Sequence, residues 1–190
     1  ETVRLMREAL KREGAPEDLL QCLTKVNIPM SQALMAEADL VIATGGQPMV
    51  RAAYSSGTPA YGVGAGNSTM VIDETADIKE AAMNTRLSKT SDFGSGCSAD
   101  GNLIIQESIF DALLELEGGY LANEEEKTKL RKAMWDDENH RLADTVAVSP
   151  QKLAEAAGFS IPADRKFIIV RGDGIGKEYP YSGEKLTTLL

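Results

Sequence analysis

Between Ala38 and Gly66 the sequence runs ADLVIATGGQPMVRAAYSSGTPAYGVGAG, and no other stretch narrows the fold as much. An apolar run ends in two glycines. The period then changes, with Pro48 placed for the first turn of a helix and Gly57 just past its end. A second apolar run, AYGVG, follows from Ala60. Strand, helix and strand in immediate succession mark an α/β architecture with a parallel sheet.

The alternation extends in both directions. Residues 1–13 predict a helix, with Val3, Leu5, Met6 and Leu10 at helical spacing and Gly14 as its stop. After Pro16, LLQCLTKV (Leu19 to Val26) reads as a buried strand holding Cys22 as a small core residue. A short helix around Ser31 to Glu37 leads into the Ala38 strand. Beyond Gly66, TMVID reads as a strand and Asp77 to about Thr90 as a helix with Ile78, Ala81, Ala82 and Leu87 on one side. NLIIQ from Asn102 is expected to be a strand, and Ser108 to Glu117 a helix. A charged helix from about Asn123 to Trp135 spaces Glu124 against Lys127 and Lys129, the pattern of a solvated face. The tail offers VAVS, a short helix after Pro150, a buried strand KFIIV and the turn-rich RGDGIGKEYP. It closes on SGEKLTTLL, which reads as the start of another helix.

Composition excludes several functions. A 43% hydrophobic, 26% charged chain is globular rather than disordered. A net charge of −9 with no Lys/Arg block argues against a nucleic-acid groove or an anionic membrane surface. No apolar run approaches the roughly 20 residues of a membrane span. Two cysteines make no disulfide framework, and one histidine with two distant cysteines lacks metal-ligand spacing. The expectation is a cytoplasmic protein without a metal. The chain opens in a helical pattern without Met and ends in a fresh apolar turn, so it reads as part of a longer protein.

Three glycine clusters bear on function. In ATGGQPM a strand ends in Gly45 and Gly46 and a helix begins at once, so free N–H groups and a helix dipole face outward together. That suits a phosphate at a strand's carboxyl end, or a plain tight turn. GVGAGN places Gly62, Gly64 and Gly66 at alternate positions, where glycine weakens a strand, which points to a close approach to the backbone by a ligand or another backbone segment. GDGIG, Gly172 to Gly176, reads as a surface turn.

A fourth stretch, SDFGSGCSADG, carries Cys97 on turn-forming residues rather than in a core. Small neighbours leave room for a substrate and expose backbone donors, as a thiolate nucleophile requires. Asp92 and Asp100 oppose this by disfavouring a thiolate, and His140 lies in an acidic surface stretch unsuited to a Cys/His dyad. Local chemistry leaves a reactive and an inert Cys97 both open.

The run ADLVIATGGQPMVRAAYSSGTPAYGVGAGNSTMVIDETADI, the KTSDFGSGC loop and the tail GFSIPADRKFIIV followed by EKL resemble the aldehyde dehydrogenase superfamily over nearly the whole chain. Within it the chain is similar to the CoA-acylating branch, whose members convert an aldehyde to an acyl-CoA. The resemblance implies that Cys97 is the nucleophile that forms a thiohemiacetal and then, after hydride transfer to NAD or NADP, a thioester. It places Thr44, Gly45, Gly46, Gln47 and Pro48 beside the cofactor, with Gly62, Val63 and Gly64 in the neighbouring segment. Hydrolytic members carry a glutamate where Gly62 stands. Its absence here leaves the thioester for coenzyme A as co-substrate.

The resemblance also implies the end of a Rossmann-like cofactor domain over residues 1–66 and the start of an α/β catalytic domain over 67–190. The parent protein is expected to be a homo-oligomer acting on a short aldehyde such as acetaldehyde, propionaldehyde or sulfoacetaldehyde. Gly96 leaves room beside the nucleophile and leans towards the last. The family's adenosine-binding residues and an oxyanion-hole asparagine lie upstream of Glu1, so residues 1–190 alone are expected to be inactive. Competing readings are the dehydrogenase half of a bifunctional aldehyde–alcohol dehydrogenase, a hydrolytic enzyme, and a scaffold in which Cys97 is inert.

Overall fold

Strands β1 (Val41–Thr44) and β2 (Ala60–Val63) pair in parallel, with Val41 opposite Ala60 and Thr44 opposite Val63. The helix α3 (Gln47–Tyr54) joins them, opening on Pro48 in its first turn. This is the strand–helix–strand unit that the Ala38–Gly66 pattern demands. The computed structural model that shows it describes residues 1–114 and 118–190, and these divide into two units, Glu1–Gly64 and Ala65–Leu190.

In the first unit, α1 (Thr2–Arg12) and α2 (Ile28–Glu37) precede the sheet. Asn27 Oδ1 caps α2 by accepting from Met30 N–H at 2.9 Å. Val41, Ala43 and Ala53 form a small core, with Met35, Ala38 and Ala60 packed against it. The strand expected over Leu19 to Val26 does not form. The segment is turns and bends, Leu19 and Val26 are 65% and 90% exposed, and Cys22 is exposed rather than buried. A strand exists only through a neighbour that satisfies its N–H and C=O groups, and no described strand pairs with this run.

The second unit opens with another crossover. Strand β3 (Ser68–Ile72) leads through α4 (Ile78–Thr90) to β4 (Asp100–Ile105), parallel to β3 with a register shift between Ser68 and Thr69. Asp77 caps α4 by accepting from Glu80 N–H at 3.0 Å. The helix expected over Ser108 to Glu117 is a 3-10 turn followed by α5 (Phe110–Leu114), and residues 115–117 lie outside the described residues. Strand β5 (Gly119–Leu121) was not evident in the sequence. It pairs in parallel with β6 (Phe167–Ile169), so a third crossover encloses α6 (Glu124–Met134) and α7 (Pro150–Ala156).

A reciprocal capping box between Asn123 and Glu126 starts α6. Its Lys127 is buried and pairs with Asp173 at 2.6 Å, so the helix is not solvated all round. VAVS is an irregular connection. SGEKLTTLL does not begin a helix. Ile168 N–H donates to Thr188 O and Leu190 N–H to Ile168 O, both at 2.8 Å, which lays the tail along β6. Leu189 thereby joins the core of Leu130, Met134, Trp135, Leu153, Ile168 and Tyr181. No helix among the described residues is long and apolar enough to cross a membrane.

Candidate active site

The sheet of the first unit gathers one group of candidates. Thr44 and Val63 face each other at the ends of β1 and β2, Ala43 faces Gly62, and Gly45 N–H continues the ladder to Val63 O at 3.0 Å. Thr44, Gly45, Gly46, Gln47 and Pro48 therefore lie beside Gly62, Val63 and Gly64 at the carboxyl ends of parallel strands. In α/β sheets, ligands bind at such ends. No side chain caps the start of α3, which leaves its first N–H groups facing the turn.

The glycines separate into two kinds. A Cβ on Gly62 would lie 2.6 Å from Val50 Cγ1 and 2.7 Å from Tyr54 Cε2, and one on Gly64 would lie 3.1 Å from Gln47 Nε2. Side chains of helix α3, not another backbone segment, thus come close at Gly62 and Gly64, while nothing lies within 4 Å of a Cβ on Gly66, so the approach expected for GVGAGN does not extend to its third glycine. Tyr54 Oη also accepts from Gly62 N–H at 3.0 Å. Gly45 and Gly46 differ. A Cβ on either would meet nothing nearer than 3.5 Å, and neither has a positive φ, so nothing within their own unit requires glycine there.

Cys97 belongs to the second unit, in the connection from α4 to β4, and is exposed. Asp92 and Phe93 both adopt left-handed backbone, and Ser95 Oγ donates to Asp92 Oδ2 at 2.9 Å. Ala99 N–H closes a turn onto Gly96 O at 3.0 Å. Around a Cβ placed on Gly96 the nearest atom is Ala99 N at 3.9 Å, so the side before the thiol is open. A recess of about 250 Å³ beside it is lined by Ser88, Ser91, Asp92, Gly96, Ser98 and Ala99.

His140 is remote from this loop in sequence and context. It is exposed, and its Nδ1 lies 3.2 Å from Asp136 Oδ2. The Asp136 carboxyl sits below the ordinary carboxylate range, chiefly because it accepts the His140 backbone N–H. Among the described residues no group of three or more His, Cys, Asp and Glu could hold a metal.

Sequence reasoning missed a buried polar network at the start of β4. Lys89 and Lys185 are each 1% exposed. Lys89 Nζ donates to Asp100 O at 2.9 Å. Lys185 Nζ donates to Tyr181 O at 2.7 Å, Asn102 Oδ1 at 3.0 Å and Gly183 O at 3.2 Å. Asn67 Nδ2 donates to Asn102 Oδ1 at 2.6 Å and to Ser182 O at 2.8 Å. Burial pushes Lys89 down to about 8 against the pull of Asp100. Burial, with the charges of Lys89 and Arg141, pushes Lys185 down to about 7. Lysine is almost never fully buried unless paired, so nothing in KTSDFGSGC or EKL announces these positions.

Comparison with known proteins places the chain. Residues 2–133 match the aldehyde dehydrogenase family. A sulfoacetaldehyde dehydrogenase of an Acholeplasma species is 39% identical over 197 residues, covering 99% of this chain and 40% of the relative. An acylating sulfoacetaldehyde dehydrogenase of Bilophila wadsworthia is 40% identical over 179 residues, covering 90% of this chain and 39% of the relative. Among solved structures, an acetylating aldehyde dehydrogenase from Geobacillus thermoglucosidasius superposes with a TM-score of 0.94 at 41% identity, covering 99% of this chain and 42% of that one. The chain spans about two fifths of the length of these relatives. With the family match running through β1, β2 and the Cys97 loop, the chain belongs to the aldehyde dehydrogenase family.

Proposed function

We propose that the protein carrying this chain is a CoA-acylating aldehyde dehydrogenase with Cys97 as its nucleophile. The observation that carries this reading is the exposed thiol on a loop opened by Gly96, in a chain of this family. The Cys97 sulfur attacks the aldehyde carbonyl carbon, a C–S bond forms, and the carbonyl electron pair becomes an oxyanion. Loss of hydride from that carbon, with re-formation of the C=O bond, leaves an acyl thioester on Cys97. NAD or NADP, when bound, supplies the hydride acceptor. Coenzyme A thiolate then attacks the thioester and expels the Cys97 thiolate, so the acyl group leaves as acyl-CoA.

Thr44, Gly45, Gly46, Gln47 and Pro48 are the proposed cofactor-facing residues, with Gly62, Val63 and Gly64 beside them. The uncapped start of α3 and the unhindered backbone of Gly45 and Gly46 fit a close-approaching anionic group. On this reading residues 1–66 are the C-terminal part of the cofactor domain, and 67–190 the N-terminal part of the catalytic domain. Gly62 supplies no carboxylate to activate water, which favours the acylating over the hydrolytic outcome. The substrate is a short aldehyde, sulfoacetaldehyde among the first to try. Asp92 in the recess would repel a sulfonate on its own side, so charged and uncharged tails will be told apart. The parent protein is proposed to be a cytoplasmic homo-oligomer.

The test uses the full-length protein, with NAD(P)H formation followed over a panel of short aldehydes, with and without CoA. The expected result is signal that needs CoA and is lost in Cys97→Ala by at least about a thousandfold, the scale of losing a covalent nucleophile. CoA-independent acid release would make the enzyme hydrolytic. Undiminished turnover in Cys97→Ala would remove the assignment.

A further inference from the structure

The geometry points to Lys89 as a positioning residue for the Cys97 loop: its buried ammonium clasps the far end of the loop and fixes where the loop presents the thiol. Lys89 sits in the last turn of α4, one residue before the helix ends at Thr90. Its Nζ donates to Asp100 O at 2.9 Å, while Asp100 N–H donates to Ser88 Oγ, also at 2.9 Å. Two adjacent residues at the end of α4 thus hold both backbone groups of the first residue of β4. Everything between these anchor points, including Cys97, belongs to the loop they close.

Inside the loop the hydrogen bonds are short-range turns, Ser95 to Asp92 and Ala99 to Gly96. Bonds of that range shape the loop without fixing its place on the domain. The anchoring comes from the clasp and from Gly94. A Cβ on Gly94 would lie 2.6 Å from Thr187 O and 2.9 Å from Lys89 O, so the chain there is wedged against the tail and against the lysine's own carbonyl.

Packing alone does not account for a lysine at this position. A buried charge carries a desolvation cost that an apolar side chain of similar volume avoids. The Lys89 charge in turn disfavours the ammonium of buried Lys185, behind which Arg141 donates to Lys185 O at 3.0 Å. Asp100 offsets part of the burial cost at Lys89. The feature that methionine could not reproduce is the hydrogen bond to Asp100 O.

The inference rests on the reading of Cys97 as nucleophile, and two measurements on the full-length protein keep the two apart. The first is amide hydrogen exchange over residues 91–99 in wild type, Lys89→Met and Lys89→Arg. Lys89→Met is expected to raise exchange in this loop roughly tenfold while β3 and α6 stay within twofold, the behaviour of a local opening. The second is steady-state kinetics. Lys89→Met is expected to lower kcat roughly 10- to 100-fold with KM within about threefold, since a misplacement near 1 Å carries a loss of that order. Lys89→Arg, which keeps a buried cation and donors, is expected to recover at least about fivefold over Lys89→Met. Unchanged loop exchange in Lys89→Met would overturn the clasp, as would a kcat equal to wild type or an arginine variant no better than the methionine one. If Lys89→Met fails to fold, the arginine variant decides: loop exchange and kcat near wild type uphold the clasp, and collapse of both overturns it. A wild-type protein with no dehydrogenase activity whose loop still loosens in Lys89→Met would refute the enzymatic reading and leave the clasp standing.

Discussion

Replacing Gly62 by alanine asks whether helix packing alone demands glycine at the end of β2. The added methyl carbon would stand 2.6 Å from Val50 Cγ1 and 2.7 Å from Tyr54 Cε2, where carbons ordinarily rest about 3.5–4.0 Å apart. Val50 and Tyr54 lie one turn apart on α3, so both cannot turn away without the helix retreating from β2 by about 1 Å. Overpacking of this kind costs roughly 1–3 kcal/mol. Removing a glycine from a strand returns roughly 0.5–1 kcal/mol. The net expectation is a loss of about 1–2 kcal/mol, which raises local opening roughly 5- to 30-fold. Hydrogen exchange of the β1 and β2 amides measures it directly. Gly66→Ala serves as the control, because nothing lies within 4 Å of that added carbon and Gly66 has no positive φ. Exchange in Gly62→Ala within twofold of the control would refute the packing argument.

The same direction bears on mechanism. The family resemblance puts a glutamate of hydrolytic members at Gly62, which suggests that restoring the carboxylate would restore hydrolysis. In this protein the Cβ of any side chain at 62 points into Val50 and Tyr54. Gly62→Glu is therefore expected to destabilise the unit more than Gly62→Ala and to release no acid in the absence of CoA. A folded Gly62→Glu protein that hydrolyses its thioester would show that β2 yields more readily than these contacts imply.

Two further outcomes follow from the second unit. Gly94→Ala forces a side chain onto a φ of 66° and into two carbonyl oxygens, so a loss of roughly 2–4 kcal/mol is expected in thermal unfolding, against no change if the loop simply shifts. Lys89 and Lys185 sit at about 8 and about 7 in the folded state, below their ordinary 10.5. Unfolding takes up protons between those values, so their burial penalty is full below about pH 7 and fades as pH rises towards 10.5. Stability should therefore be greater at pH 9 than at pH 6.5. Lys185→Met should flatten that rise in denaturant midpoints, and an unaltered slope would contradict the assignment.

Elements that carry their own punctuation were legible in the sequence. Pro48 and Gly57 bracket α3, Asp77 caps α4, and the Asn123–Glu126 pair opens α6, each a local interaction within a few residues. Two of the misread segments depend on partners far along the chain. LLQCLTKV finds no described strand to pair with and stays irregular, whereas TTLL finds Ile168 and becomes extended. Lys89 and Lys185 were illegible for a related reason, since their acceptors are main-chain oxygens and an asparagine brought there by the fold.

The glycine clusters show where sequence reasoning stops. The alternating spacing of Gly62, Gly64 and Gly66 points to a close approach by a ligand or another backbone segment, whereas side chains make it at the first two and nothing makes it at Gly66. Val50, Tyr54 and Gln47 supply it at Gly62 and Gly64, so these two glycines need no ligand to account for them. Gly45 and Gly46 stand the other way round. Neither packing nor backbone conformation in their own unit calls for glycine, yet they join the end of β1 to the uncapped start of α3. On the proposed reading a cofactor accounts for Gly45 and Gly46, which their own surroundings leave unexplained. Cofactor affinity should accordingly fall further with Gly45→Val than with any substitution at Gly64 that Gln47 can move aside to accept.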